Sequence, residues 1–172
     1  FDNWYANCPG LKVIVPSNPY DAKGLLKSSI RDNNPVIFME SEQMYGDKGM
    51  VPDEEYLVPI GQAKIVQEGS DVTIVSYGKM MKVIIDAQKT LNDENIFPEL
   101  IDLRALRPID YDLIIESVKK TNRLIIVEES WPLASISSEI SYKIQNKGFD
   151  FLDAPIQRVC SADTPMAYSP TL

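Results

Sequence analysis

Short unbroken apolar runs alternate along this chain with segments whose apolar residues recur at helical spacing. Leu11 to Val15, LKVIV, is β-branched and closed by Pro16 and Ser17, which predicts a strand. Asn18 and Pro19 then open a segment, Tyr20 to Ile30, whose spacing predicts an amphipathic helix. Val36 to Met39, VIFM, predicts a second strand. From Ser41 to Pro59 the periodicity lapses in favour of Gly46, Gly49, Pro52 and an acidic Asp53-Glu54-Glu55, which predicts a linker. Beyond it, Ala63 to Val66 and Val72 to Val75 flank Gly69 and predict a hairpin or strand pair. Helices are then predicted over Lys79 to Leu91, Tyr111 to Lys120 and Ala134 to Gln145, with strands over Leu100 to Leu103, Leu124 to Val127 and Ile156 to Cys160.

Continuous apolar strands suit a parallel sheet covered on both faces, and their alternation with helices at short intervals predicts a doubly wound α/β fold. Residues 1–48, which open abruptly at Phe1 with Trp4 and Tyr5 close behind, read as the tail of one α/β domain. Residues 49–60 read as the linker, and 61–172 as a second α/β domain, incomplete at its end.

Composition narrows the function classes. A chain of 172 residues that is 44% hydrophobic can bury a sizeable core. Its net charge of −8 argues against nucleic acid, whose phosphates require clustered Lys and Arg, and favours a basic protein partner. No apolar run is long enough to suggest a membrane span. Cys8 and Cys160 lie far apart, which suits a reducing compartment better than a disulfide framework. The absence of histidine removes the commonest general base and transition-metal ligand. No P-loop and no GxGxxG is present.

Several positions could carry chemistry, each beside a plainer reading. KSSIRDNNP, Lys27 to Pro35, gathers oxygen-bearing side chains at a helix end, as an ordinary turn before Pro also does. Glu40, Glu42, Glu128 and Glu129 follow strands, where open α/β sheets build sites and where solvated acids also sit. Arg104 and Arg107 suit either an anion site or ion pairs that brace a loop. Trp131 fits either a core cap or an interface anchor, and both thiols read as buried and inert. Asp153, in LDAP, is a loop acid that could dock a basic module.

Five segments in order carry a resemblance over essentially the whole chain. They are CPGLKVIVPSNPYDAKGLLKSSIRDNNPVIFMESEQMYG, GSDVTIVSYG, IDLRALRPID, EESWP and FLDAPIQRVCSADTPM. Together they resemble the β subunits of the thiamin-diphosphate-dependent pyruvate dehydrogenase decarboxylating component, within the transketolase-like family. The β subunits of branched-chain 2-oxo acid and acetoin dehydrogenases look similar, and RDNNP and EESWP favour pyruvate.

The resemblance implies a pyrimidine-binding domain tail followed by a transketolase-like carboxy-terminal domain. It implies thiamin diphosphate with magnesium in the full assembly, an α subunit that binds the diphosphate, and a second β subunit. It places the glutamate for the aminopyrimidine ring, and a histidine, upstream of Phe1, so no catalytic or cofactor-binding residue is expected here and the chain alone is expected to be inactive. It implies a structural potassium site with carbonyl oxygens at Ser29 and Ile30 and further oxygens at Asp32 and Asn34. It also implies docking of the basic peripheral-subunit-binding domain of the dihydrolipoyl acetyltransferase, for which Asp153 is the leading candidate.

Overall fold

The computed structural model describes residues 1–166 together with Tyr168 and Ser169. A short helix α1 (Asp2–Ala6) leads into β1 (Lys12–Ile14), helix α2 (Pro19–Ile30) and β2 (Val36–Phe38). After an irregular stretch with one 3-10 turn at Glu42–Met44 come β3 (Lys64–Gln67), β4 (Val72–Ser76), α3 (Met80–Asp93), β5 (Pro98–Asp102) and β6 (Ala105–Arg107). Helix α4 (Tyr111–Thr121), β7 (Leu124–Val127), α5 (Ile136–Gly148) and β8 (Gln157–Val159) complete the described chain.

The strands form two sheets. One has the order β3-β5-β4-β7-β8, with β5, β4, β7 and β8 parallel and β3 antiparallel at its edge. Alternation along its strands builds a layer on each face. Val72, Ile74, Leu100 and Val127 pack with Met81 and Ile84 of α3 on one side. Val75, Ile101, Leu124 and Ile126 pack with Ile114 and Val118 of α4 and Ile140 and Ile144 of α5 on the other. This is the doubly wound α/β arrangement that the apolar runs predict.

The predicted hairpin of β3 and β4 does not form, because β5 lies between them. The burial pattern gives the reason. VTIVS and PELID are buried at every position and take central places, whereas KIVQ is largely exposed and suits an edge. The connection must then cross the start of β5, and Gly69 permits it: a Cβ there would lie 2.2 Å from the Pro98 carbonyl carbon.

The second sheet is composite, with order β2-β1-β6. β1 pairs parallel with β2, and antiparallel with β6, which arrives from the other end of the linker through Ile14↔Ala105 and Val13↔Arg107. Ile14, Leu25, Ala105 and Val58 form its core, so α2 and the end of the irregular stretch cover one face. The Asn18 side chain caps α2 by accepting the Asp21 N–H at 2.9 Å, as the Asn-Pro start predicts. Asp110 does the same for α4 through the Leu113 N–H at 3.2 Å.

Candidate functional site

The carboxyl ends of β1, β2, β4 and β7 converge on one crevice. Its lining includes Val15 and Pro16 after β1, Met39 to Ser41 after β2, Tyr77 to Met80 after β4, and Glu129 to Trp131 after β7, with Trp4 of α1 opposite. The cavity measures about 430 Å³. Lys79 pairs with Glu129 and donates to the Gln43 side-chain oxygen at 3.2 Å, tying the chain after β4 to that after β7.

Behind this crevice lies a buried carboxylate. Glu128 is 1% exposed, whereas a solvated strand-end acid is the plainer sequence expectation. Its Oε2 accepts the Tyr77 hydroxyl at 3.1 Å and the Ser137 N–H at 3.2 Å, and its Oε1 accepts the Ser137 hydroxyl at 2.5 Å. Placed at the first turn of α5, the carboxylate satisfies a backbone donor that lacks an intrahelical partner and faces the positive end of the helix dipole. Arg158 of β8 completes the arrangement: its Nε donates to the Ser137 Oγ at 2.7 Å, and its Nη2 donates to the Ser135 Oγ at 3.0 Å and to the Pro132 carbonyl. Burial raises the Tyr77 hydroxyl above its ordinary pKa, with the Asp2 and Glu128 carboxylates adding to the rise. Cys160 lies half-buried beside this network, 3.6 Å from Glu128 Oε1.

A second polar network lies where the two sheets meet. Arg104, in left-handed backbone conformation with φ 59°, donates from Nη2 to Asp21 Oδ1 at 2.6 Å, and its N–H donates to Asp102 Oδ1 at 3.0 Å. Asp21 and Asp102 are both fully buried. The Ser17 hydroxyl donates to Asp102, and the Asn18 amide donates to Asp21 at 2.7 Å. Burial pushes the Asp102 carboxyl up to about 6, against the hydrogen bonds from Ser17 and the Arg104 N–H. Arg104 thus takes the bracing role and not the anion-binding one. Arg107 likewise donates to the Ala6 carbonyl.

The end of α2 brings the predicted potassium residues together around one acid. The Asp32 N–H donates to the Ser29 carbonyl at 3.3 Å, while Asp32 Oδ1 accepts the Asn34 N–H and side-chain amide, each at 2.8 Å. Its Oδ2 pairs with Lys12 of β1. The Lys12 ammonium, followed by Asn34, holds the Asp32 carboxyl down at about 2, so it stays ionised at any physiological pH. Ile30 is exposed. The donor set fits a monovalent cation in part: helix-end carbonyls and the Asn34 amide oxygen suit one, but Lys12 already balances the carboxylate.

Asp153 lies at the opposite end of the five-stranded sheet, in the exposed loop before β8. Asn122, in left-handed conformation at the end of α4, fixes that loop by accepting the Asp153 N–H at 2.9 Å and donating to the Phe151 carbonyl at 2.9 Å. Glu40 and Glu42 are exposed. Trp131 is 46% exposed and donates to the Thr164 carbonyl at 2.7 Å, so it does not cap the core. Cys8 is exposed, contrary to the buried reading. No group of three or more His, Cys, Asp or Glu among the described residues is arranged to hold a metal ion, and no described helix is long and apolar enough to cross a membrane.

Comparison with known proteins gives two family matches. "Transketolase, pyrimidine binding domain" covers residues 2–48, and "Transketolase, C-terminal domain" covers residues 61–172. The chain is 48% identical over 176 residues to the mitochondrial pyruvate dehydrogenase E1 component subunit beta of Dictyostelium discoideum, covering 100% of this chain and 49% of that protein. It is 49% identical over 177 residues to the corresponding mitochondrial subunit of Caenorhabditis elegans, covering 100% and 50%. It is 47% identical over 168 residues to the acetoin:2,6-dichlorophenolindophenol oxidoreductase subunit beta of Bacillus subtilis, covering 98% and 49%. The chain thus spans about half the length of the curated relatives it matches. A solved structure described as a split gene transketolase, inactive beta4 tetramer, shares the fold, with a TM-score of 0.79 and 24% identity over 95% of this chain and 52% of that one.

Proposed function

The chain belongs to the transketolase family, and from that premise we propose that it is part of the β subunit of a thiamin-diphosphate-dependent pyruvate dehydrogenase component. The observation that carries the proposal is identity near 48% to pyruvate dehydrogenase β subunits, continuous through both family segments. In this reading, residues 1–48 belong to the pyrimidine-binding domain, 49–60 link, and 61–172 belong to the carboxy-terminal domain. Thiamin diphosphate with magnesium, when bound between α and β subunits, supplies the carbanion and electron sink for decarboxylating a 2-oxo acid. Residues of this chain assemble the second β subunit and the α subunit around it. No residue of this chain is assigned to the cofactor in this reading.

Asp153 is proposed to receive the basic peripheral-subunit-binding domain of the acetyltransferase core, supported by its exposure and the fixed loop beneath it. Ser29, Ile30, Asp32 and Asn34 are proposed to hold a structural potassium ion. Since Lys12 already pairs with Asp32, the ion would draw on the Ser29 and Ile30 carbonyls and the Asn34 amide oxygen, with the Asp32 side chain contributing least. An acetoin-oxidising β subunit is the second reading, favoured by the 47% identity to the Bacillus subtilis protein.

The test is turnover by the complete β reading frame co-purified with its α partner, on pyruvate, branched-chain 2-oxo acids and acetoin, in potassium and in sodium. Preference for pyruvate upholds the first reading, and preference for another substrate overturns it. Asp153→Asn is expected to weaken core binding at low salt at least tenfold; unchanged affinity removes the residue from that role. Asn34→Leu is expected to abolish any extra thermal stability in potassium over sodium, whereas an equal potassium effect in the variant excludes the site.

A further inference from the structure

The joint between the two sheets is built from charges that do not balance. Ser17, Asn18 and Asp21 belong to the segment matched by the pyrimidine binding domain, and Asp102 and Arg104 to the segment matched by the C-terminal domain. Two fully buried carboxylates here share one largely buried guanidinium. With both acids ionised, the cluster carries one uncompensated negative charge where water cannot solvate it. One proton makes it neutral.

The hydrogen bonds assign that proton to Asp102. Asp21 accepts the charged donor, Arg104 Nη2, at 2.6 Å and the Asn18 amide at 2.7 Å. Asp102 accepts only neutral donors, the Ser17 hydroxyl and the Arg104 N–H. Its register partners on the flanking strands leave it uncompensated: the Ser76 hydroxyl of β4 donates to the Val127 carbonyl at 2.8 Å, and Lys64 of β3 is exposed. The charged groups that act on it are Asp21 and Arg104. A hydroxyl both donates and accepts, so the bond to Ser17 survives in either protonation state.

The two states pull Arg104 in different directions. Its backbone is fixed, since its carbonyl accepts the Val15 N–H at 2.9 Å, but its Nε is buried without a partner and is a donor to spare. When Asp102 is neutral, the guanidinium is left to pair with Asp21 across the joint. When Asp102 is ionised, it competes for the guanidinium from two residues away on the same segment, and the buried pair that ties the segments together weakens. Lys82 and Asp47 also pair across the joint, at 3.4 Å, but Lys82 is exposed and such pairs contribute little.

We propose that the joint is a proton-operated latch: a proton on Asp102 leaves Arg104 to hold Asp21 and closes β1 and α2 onto the larger sheet, and loss of that proton draws Arg104 back and loosens them. Acidification below neutrality thus tightens the contact between the two family segments, and alkalinisation relaxes it. The latch is separate from the end of α2 and from Asp153, and it does not depend on which substrate the assembly processes.

Hydrogen exchange of the complete protein between pH 5 and pH 7.5, corrected for the intrinsic exchange rate, tests the latch. Protection of the β1 amides is expected to fall about tenfold over that range, the factor for a carboxyl at about 6 in the closed joint and near 3.9 in the open one, while β4 keeps its protection. Asp102→Asn, which cannot ionise, is expected to hold β1 at its protected level at both ends of the range. Ser17→Ala removes a donor that favours the ionised acid and is expected to move the midpoint to higher pH, which keeps the test decisive where the asparagine variant does not fold. Protection of β1 that is independent of pH, that changes in step with β4, that keeps its pH dependence in Asp102→Asn, or whose midpoint stays put in Ser17→Ala overturns the proposal.

Discussion

The two sheets close their cores by different means. The five-stranded sheet draws every strand from residues 64–159, and helices cover both faces with aliphatic side chains. The three-stranded sheet completes itself with β6, a strand from beyond the linker, and its junction with the larger sheet combines apolar contacts of Val13 and Leu106 with buried charge. One region is held chiefly by non-directional apolar burial, whereas the other adds a few directional bonds between buried charges to its apolar contacts. The first should tolerate small losses at many positions, whereas the second should be sensitive at few.

Arg104→Ala puts the greatest strain on this comparison. It leaves Asp21 buried without its guanidinium, while Asp102 keeps the backbone N–H of residue 104, a loss of about 3–5 kcal/mol for a buried pair broken on one side. Urea unfolding should show the loss. Hydrogen exchange should show the β1 and β2 amides opening well before those of β4. If all of them open together, the sheets form one cooperative unit and the distinction fails.

Asp102→Asn sharpens it through pH. The folded-state pKa of about 6 lies above the unfolded value near 3.9, so the fold favours the protonated acid. The stabilising contribution is complete below about pH 4, falls as pH rises through about 6, and is gone above it. The total change is about 2–3 kcal/mol. Asp21 and Arg104 are the charged groups facing this acid, and Ser17 is its hydroxyl donor. Asparagine should flatten this part of the pH profile and raise stability at pH 8. An unchanged profile from pH 4 to 8 would show that Asp102 does not titrate there. Asn18→Ala carries the smallest expected effect, about 1 kcal/mol for a lost helix cap, and should be less than additive with Arg104→Ala because both bind Asp21. Full additivity would mean that the network does not act as a unit.

How much of this was legible in the sequence follows from how far apart the interacting residues lie. The apolar runs of β1, β4 and β7, and the caps at Asn18 and Asp110, are local signals, and they located their elements within a residue or two. β6 has no such signal: Ala-Leu-Arg is too short for a periodicity, and its extended form is imposed by the β1 edge. The burial of Glu128 is equally silent, since its donors Tyr77 and Ser137 come from separate elements. Asp102 offered a hint, as an acid set within the apolar LIDL, but its network partner Arg104 read equally well as an anion ligand. At the end of α2, local chemistry showed the cluster of oxygens but not Lys12, which arrives from a neighbouring strand.

The borrowed strand also sets a timetable for synthesis. β1 cannot complete its pairing until the segment Ala105 to Arg107, about ninety residues further along, has left the ribosome. At roughly 5–20 residues per second, that interval is on the order of 5 to 20 seconds. Throughout it, the strand Lys12–Ile14 offers one unpaired edge to any passing chain, and the core beneath helix α2 lacks Ala105. The nascent protein therefore has its greatest need of a chaperone before the linker and the larger sheet emerge, and loses that need abruptly once β6 docks.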